Sequence, residues 1–209
     1  MKLPFKLYLI TDRHATKMPL PAAIKLALKG GVRAVQLREK DLPIRELLAL
    51  ARELRALTRE FSARLFINDR VDIAVAVEAD GVHLGHQSMP VDAVRKIVGN
   101  RMLVGVSTHN SEEAKDAEKG GADFITFGPV FETPSKVKLG FPVGCDAVKN
   151  VKNSISIPIY GLGGINSGNV GSVLSAGAYG IALISAILRS DNIQKATEDI
   201  IRQLDSNHG

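Results

Sequence analysis

Eight short apolar runs, spaced along the whole chain, constrain the fold of this sequence more than any other feature. Most of them are apolar on both faces, as are the strands of a parallel sheet that helices cover on both sides. Between them lie longer segments whose apolar residues recur every three or four positions, a spacing typical of amphipathic helices. The runs are Leu7–Thr11, Ala34–Leu37, Leu65–Ile67, Gly81–Leu84, Leu103–Val106, Phe124–Phe127, Ile157–Tyr160 and Gly180–Ile184.

This alternation predicts a single (β/α)8 TIM barrel domain with parallel strands over residues 1–209. A doubly wound open sheet is the alternative, but the count of eight favours a barrel, as do the polar stretches that recur after the strands. No glycine-rich dinucleotide fingerprint follows the first run. The clearest helix patterns are Leu42–Phe61, Pro90–Val98, Ser111–Lys119 and Ile193–Leu204, with Ser111 as a capping hydroxyl before two glutamates.

Composition and charge narrow the classes of function. The net charge is +5, but Lys and Arg are spread along the chain, Trp is absent and aromatic residues make up only 5%, which argues against a nucleic-acid partner. No apolar run is long enough for a membrane span or a signal peptide. The single cysteine, Cys145, excludes an internal disulfide. We therefore expect a cytoplasmic protein without a membrane partner, and the sequence leaves a homo-oligomer open.

A charged stretch follows the second run. Gln36, Arg38 and Lys40 alternate with other residues, which sends them to one side of the chain. An Arg fork and a Lys point charge at a barrel mouth would suit a diphosphate. The same stretch also fits an ordinary solvated surface.

Polar residues follow the next three runs. Asn68 and Asp69 are candidates either for a helix N-cap or for a site, and Asp69 is the leading carboxylate for magnesium held through a substrate phosphate. Ser88 is a candidate cap for the helix that begins near Pro90. Ser107, Thr108 and His109 come after the fifth run, where no Ser-His-Asp arrangement can be placed from spacing alone.

The stretches after the last three runs indicate anion binding. Residues 128–144 form the longest irregular segment, a candidate substrate loop, and within it the hydroxyls of Thr133 and Ser135 precede Lys136. Glycines at 163 and 164 follow the seventh run, and Ile184-Ser185 opens a helix after the eighth. This combination is typical of the phosphate site of barrels, although a tight turn would also explain the glycines.

Together these stretches resemble the thiamine phosphate synthase (thiamine phosphate pyrophosphorylase) family. The family includes a TenI-type sister group, some of whose members are thiazole tautomerases. The resemblance runs over essentially the whole chain, with the stretches in the family's order. They are Tyr8–Asp12, Gln36–Lys40, Ile67–Asp72, Gly81–Gly85, Gly105–His109, Gly128–Phe131, Thr133–Lys136 and Gly161–Ile165.

The resemblance implies a transferase of thiamine biosynthesis that joins hydroxymethylpyrimidine diphosphate to thiazole phosphate by dissociative substitution and releases pyrophosphate. Mg²⁺ is the implied cofactor, with Asp69 as its ligand. The implied pyrimidine diphosphate ligands are Gln36, Arg38, Lys40, Asn68, Ser107 and Lys136, of which Arg38, Lys40, Ser107 and Lys136 are catalytic. Those implied for the thiazole phosphate are Thr133, Ser135, Gly164, Ile184 and Ser185.

Ser88 departs from the synthase pattern, because it stands where the synthases place a second magnesium-binding Asp. A neutral hydroxyl is a far poorer ligand for this hard ion. The alternatives are a TenI-type tautomerase, with His109 or Lys136 in proton transfer, and a non-catalytic binder or regulator that keeps the thiazole phosphate site. Pro129 stands where the tautomerases have a histidine, and every cation for the diphosphate is present, so the synthase is favoured.

Overall fold

The eight apolar runs form one closed barrel of parallel strands in sequence order, in a computed structural model that describes residues 3–132 and 142–206. The barrel closes where Leu7 pairs with Ile181 and Leu9 with Leu183. This confirms the predicted (β/α)8 fold. The strands are β1 (Leu7–Ile10), β2 (Ala34–Leu37), β3 (Arg64–Asn68), β4 (Gly81–Leu84), β5 (Leu103–Thr108), β6 (Phe124–Phe127), β7 (Ile159–Leu162) and β8 (Gly180–Leu183).

Helices cover the outside of the barrel, each turning its apolar stripe to the strands. In the longest of them, Leu47, Ala51, Leu54 and Thr58 are buried at spacings of three and four residues. The helices among the described residues are α1 (Leu20–Lys29), α2 (Ile44–Glu60), α3 (Val71–Ala76), α4 (Val91–Val98), α5 (Ser111–Lys119), α6 (Gly144–Lys152), α7 (Val170–Ser175), α8 (Ser185–Leu188) and α9 (Ile193–Ser206).

The N-terminus of α5 corrects one prediction. Ser111 is already helical, and the capping residue is Asn110, whose Oδ1 accepts a hydrogen bond from the Glu113 N–H at 2.9 Å. Asn110 has an extended backbone, with φ −148° and ψ 172°. A capping side chain requires this conformation, because its oxygen must turn back toward the first free N–H groups of the helix.

The interior of the barrel is closed at its N-terminal end by aromatic rings. Tyr8, Phe66, Phe124 and Tyr160 are fully buried there. Phe5, just before β1, covers them from below and stacks on Tyr160 with 5.3 Å between ring centroids. The aromatic layer excludes water from the floor, so any ligand must enter from the carboxyl ends of the strands.

Candidate active site at the carboxyl ends of the strands

The predicted site residues that the structure describes lie together at one end of the barrel, because the carboxyl ends of parallel strands meet at one mouth. Their ligand roles remain predictions. Gln36 lies within β2, and the others lie at or just beyond strand ends: Arg38 and Lys40 after β2, Asn68 and Asp69 at β3, Ser88 after β4, Ser107 in β5, Gly164 after β7, and Ile184 and Ser185 after β8.

The hydroxyls of Thr133 and Ser135 and the amine of Lys136 lie outside the described residues. The chain that leads toward them runs beside β7. The Val130 N–H donates to the Leu162 carbonyl at 2.9 Å, and the Phe131 N–H donates to the Gly163 carbonyl at 3.1 Å. The segment before the predicted substrate loop is therefore fixed against the glycines that follow β7.

Two cationic side chains extend into solvent beyond β2. Arg38 and Lys40 are both exposed, and neither is in an ion pair with a residue of the described ranges 3–132 and 142–206. The backbone at Arg38 is fixed, since its N–H donates to the Thr11 Oγ1 at 2.9 Å. Both cations therefore lie at the mouth without a counter-ion among the described residues, as an anion-binding site requires.

Glu39, between these two cations, is a positioning residue that the sequence analysis missed. It is 4% exposed, and both of its carboxylate oxygens accept from the Arg13 N–H at 3.1 Å. The Arg13 guanidinium also bonds both Glu39 and Asp41, and it holds the pKa of Asp41 well below its usual range. These bonds join the loops after β1 and β2. In the sequence, Glu39 is only one charge in a run of charged residues. Its burial, which marks it as structural, becomes visible only in the fold.

Asp69 is held by two neighbours. Its Oδ2 accepts from the Asn68 amide at 2.7 Å, and its Oδ1 accepts from the Ser88 hydroxyl. Its backbone is left-handed, with φ +59°, a conformation in which Asp and Asn are enriched among non-glycine residues. The two hydrogen bonds fix the orientation of the Asp69 carboxylate between the ends of β3 and β4.

Ser88 orients Asp69 and does not cap α4. Its oxygen accepts from the Gly85 N–H at 2.6 Å while its proton goes to Asp69. Pro90 is the N-cap residue of α4 and makes no side-chain cap bond, so the predicted Ser88 cap is wrong. The hydroxyl accepts within its own loop and donates to the loop after β3, which draws it away from the end of α4.

The oxygen atoms of Asp69 and Ser88 suit a magnesium ion only if a substrate phosphate supplies further ligands. The described part of the chain contains no group of three or more His, Cys, Asp or Glu side chains that could hold a metal. Magnesium is commonly bound through one or two carboxylates plus substrate phosphates, and keeps several waters. Asp69 alone, beside the Ser88 hydroxyl, fits that pattern.

A buried polar chain crosses the barrel above the aromatic layer, and the sequence analysis missed it. The Gln36 amide donates to the Tyr8 hydroxyl at 3.1 Å, and this hydroxyl lies 3.4 Å from the His83 Nδ1. The Nε2 of His83 lies 3.0 Å from the Ser107 Oγ. Burial, opposed in part by Asp69 and assisted by Arg38, lowers the pKa of His83 to about 3. The imidazole is therefore neutral.

Left-handed glycines form the mouth after β7. Gly163 and Gly164 have φ of +98° and +63°, and the Asn169 amide donates to the Gly164 carbonyl at 2.9 Å. Helix α8 begins at Ser185, as predicted, and Ile184 is its N-cap residue. A cradle of bare backbone beside a helix start is the arrangement that binds phosphate in many barrels.

Replacing Gly164 by alanine tests this cradle. A Cβ there would lie 2.4 Å from the Glu132 carbonyl oxygen, and the left-handed backbone alone costs about 1–2 kcal/mol. We expect a lower free energy of unfolding in urea and a higher KM for thiazole phosphate, the substrate that the family resemblance implies for this site. Gly99→Ala is the matched control, because Gly99 is also left-handed but a Cβ would meet nothing within 4 Å. An equal rise of KM in both variants would contradict a phosphate role for Gly164.

A cavity of about 620 Å³ lies beyond the ends of β4 and β5, against α4 and α5. Ser88, Asp92 and Ser107 are among the residues that line it. The Nδ1 of His109 bonds at 3.0 Å to the carboxylate of Glu113, a residue of the cavity lining. No helix in the described part of the chain is long and apolar enough to cross a membrane.

Comparison with known proteins gives consistent results. Residues 7–187 match the model of a family described as thiamine monophosphate synthase. A relative from Geobacter sulfurreducens is 56% identical over 188 residues, which is 90% of this chain and 88% of the relative. The thiamine-phosphate synthase of Clostridium novyi is 44% identical over 201 residues, covering 96% of this chain and 98% of its own length.

Solved structures agree with these sequence matches. The thiamine phosphate pyrophosphorylase of Pyrococcus furiosus superposes with a TM-score of 0.89 at 40% identity, covering 98% of this chain and 97% of that one. A 3-hexulose-6-phosphate synthase superposes with a TM-score of 0.68 at 18% identity, covering 94% and 98% of the two chains. The second likeness concerns the fold alone.

Proposed function

The chain belongs to the thiamine monophosphate synthase family and is a transferase of thiamine biosynthesis; from this premise we propose that it joins hydroxymethylpyrimidine diphosphate to thiazole phosphate. The observation that carries the choice of substrates is that Arg38 and Lys40, which form no ion pair with a described residue, lie at the same mouth as the Gly164 cradle. One mouth then offers two separate anion sites, one for each phosphorylated partner. The phosphorylated substrates and the single thiol fit a cytoplasmic enzyme.

The proposed reaction needs no general base. The bond between the pyrimidine methylene carbon and the diphosphate oxygen breaks, and pyrophosphate leaves with the electron pair. The thiazole nitrogen then forms a bond to that carbon with its own lone pair, and no proton moves. Arg38 and Lys40 stabilise the charge that grows on the leaving group, while Gln36 and Ser107 orient the ring. Lys136 is proposed to act with the two cations.

Asp69 would hold magnesium together with the diphosphate oxygens and water. The ion would neutralise charge on the diphosphate when bound. The chain's own contribution is the orientation of the carboxylate by Asn68 and Ser88. Residues that hydrogen-bond a metal-binding carboxylate, as Asn68 and Ser88 do here, commonly affect how tightly it binds the metal.

One assay tests the proposed function. Purified protein is incubated with both substrates and magnesium, and thiamine phosphate and pyrophosphate are measured over many turnovers. We expect equimolar formation of both products. Stoichiometric binding of thiazole phosphate without product would instead indicate a binder or regulator, and isomerisation of the thiazole would indicate a tautomerase.

The Ser88 hydroxyl is the observation that favours the TenI-type alternative. It is bonded to Asp69 where the synthases have a second carboxylate. The alternative also needs a proton-transfer group, and the Nδ1 of His109 is already bonded to Glu113. Lys136, the other candidate for that step, lies outside the described residues.

Ser88→Asp separates these alternatives. The new carboxylate would lie beside Asp69, and a unit charge about 4 Å from a cation contributes about 1 kcal/mol in water and about 4 kcal/mol near a protein surface. For a synthase we therefore expect the magnesium concentration for half-maximal rate to fall by about tenfold or more. The measurement is a magnesium titration of the initial rate.

Ser88→Asn is the matched control, because it adds a similar volume without charge. It should leave the magnesium requirement unchanged or raise it. An active wild type with the same requirement as Ser88→Asp would show that position 88 has no part in metal binding. Absence of product in all three forms would support the tautomerase or binder.

A further inference from the structure

The buried polar chain joins two residues that the proposed function assigns to the pyrimidine site. Gln36 on β2 and Ser107 on β5 are linked across the barrel by Tyr8 and His83, which contribute nothing to the proposed reaction itself. Gln36 and His83 are each 1% exposed and Tyr8 is 0% exposed. Buried polar groups of this kind require partners, and each member fixes the orientation of the next.

The donors and acceptors run in one direction along this chain. An amide nitrogen only donates, so the Tyr8 oxygen accepts from Gln36 and its own proton is left for the His83 Nδ1. An imidazole whose Nδ1 accepts a hydrogen bond from Tyr8 carries its one N–H proton on Nε2, which then donates to the Ser107 Oγ. The Thr126 hydroxyl, 3.4 Å away, also donates to Ser107.

Two groups are thereby left for a ligand. Gln36 donates one of its two amide N–H groups to Tyr8, and this orientation of the amide leaves its carbonyl oxygen as an acceptor beside the remaining N–H. Ser107 accepts from two donors within the barrel, so it offers its O–H as a donor. The opposite tautomer of His83 would reverse both ends, giving a donor at Gln36 and an acceptor at Ser107.

We propose that His83 and Tyr8 are positioning residues that set the hydrogen-bond polarity of the pyrimidine site. The inference rests on the proposed function, because it takes Gln36 and Ser107 as residues that meet the pyrimidine ring. The site then selects a ring edge that presents an amino group beside an unprotonated ring nitrogen. An oxo ring of the same shape presents the reverse pattern and would leave buried polar groups unpaired, which is costly.

The first test measures the tautomer directly and does not depend on turnover. The protein is labelled with ¹⁵N at its five histidines, and the His83 signals are assigned by their loss in His83→Gln. We expect a protonated Nε2 and an unprotonated Nδ1. A protonated Nδ1 would overturn the inference whether or not the protein makes thiamine phosphate. Failure of the turnover assay with a protonated Nε2 would overturn the proposed function and its pyrimidine site, but not the direction of the hydrogen-bonded chain.

The second test removes one link by Tyr8→Phe, which keeps the ring and deletes the hydroxyl. A lost hydrogen bond of about 1 kcal/mol corresponds to about a fivefold change, so we expect KM for the pyrimidine diphosphate to rise about fivefold or more. KM for thiazole phosphate should not change. The preference for the 4-amino over a 4-oxo pyrimidine diphosphate, measured as the ratio of kcat/KM values, should fall.

Tyr160→Phe is the matched control. Its hydroxyl is also buried in the barrel but donates to the Phe5 carbonyl at 2.7 Å, at the opposite end from the site. We expect it to lower the free energy of unfolding without changing the amino-to-oxo ratio. An equal change of the ratio in both variants, or none in Tyr8→Phe, would overturn the positioning role.

Discussion

Replacing Arg38 by alanine should lower kcat/KM for thiamine phosphate formation by about 10²–10³-fold, the usual loss when one preorganised donor to a developing charge is removed. The free energy of unfolding should hardly change. The Arg38 side chain is exposed and forms no ion pair with a described residue. The hydrogen bond from the backbone N–H at position 38 to the Thr11 hydroxyl is kept when alanine stands there. Steady-state kinetics and urea unfolding of the same preparation measure the two quantities.

Arg101→Ala is the control for Arg38→Ala. Arg101 is an exposed residue that carries the same charge and lies just before β5, at the end of the barrel opposite the mouth, so its loss should leave kcat/KM nearly unchanged. Arg38→Lys should recover only part of the rate, because a point charge cannot form the two parallel bonds of a guanidinium. Equal losses of activity and stability in Arg38→Ala would instead make Arg38 a structural residue.

The second large effect concerns Asp69. Asp69→Asn should lower the magnesium-dependent rate by about 10²-fold or more, since a unit charge close to a cation contributes about 4 kcal/mol at the dielectric of a protein surface. The variant should fold, because asparagine accepts the left-handed backbone at φ +59° and keeps one oxygen for the Ser88 hydroxyl. A magnesium titration of the initial rate, with circular dichroism as the check on folding, measures both outcomes.

Asp72→Asn is the matched control for this prediction. Asp72 lies three positions further along, and its exposed carboxylate pairs with Arg70, which lowers its pKa. Its neutralisation should leave the magnesium requirement unchanged. If Asp69→Asn retained full activity with the same requirement, the metal role of Asp69 would be wrong, although the synthase reaction itself would stand.

The sequence was sufficient for the barrel because strand and helix periodicity are local properties. Three of the eight predicted runs have the same bounds as their strands: Ala34–Leu37, Gly81–Leu84 and Phe124–Phe127. The bounds of β7 are shifted by two residues from those of the predicted run. The predicted run began at Ile157. Because Pro158 has no N–H to donate to a neighbouring strand, β7 begins at the residue after it, Ile159. Position after a strand was also enough to place Arg38 and Asp69 at the mouth, because the topology of a parallel barrel leaves no other place for them.

What the tertiary structure decided is which polar groups meet. Ser88 was predicted as a cap of α4 and instead bonds Asp69, which is 19 positions away in the sequence. His83 lies in a run that reads as an apolar strand, and its partner Tyr8 is 75 positions away. No local pattern encodes such contacts, because they depend on the stagger of the strands around the closed barrel and on which side chains turn inward. Burial then makes each contact obligatory, since a polar group without water must find a partner inside the protein.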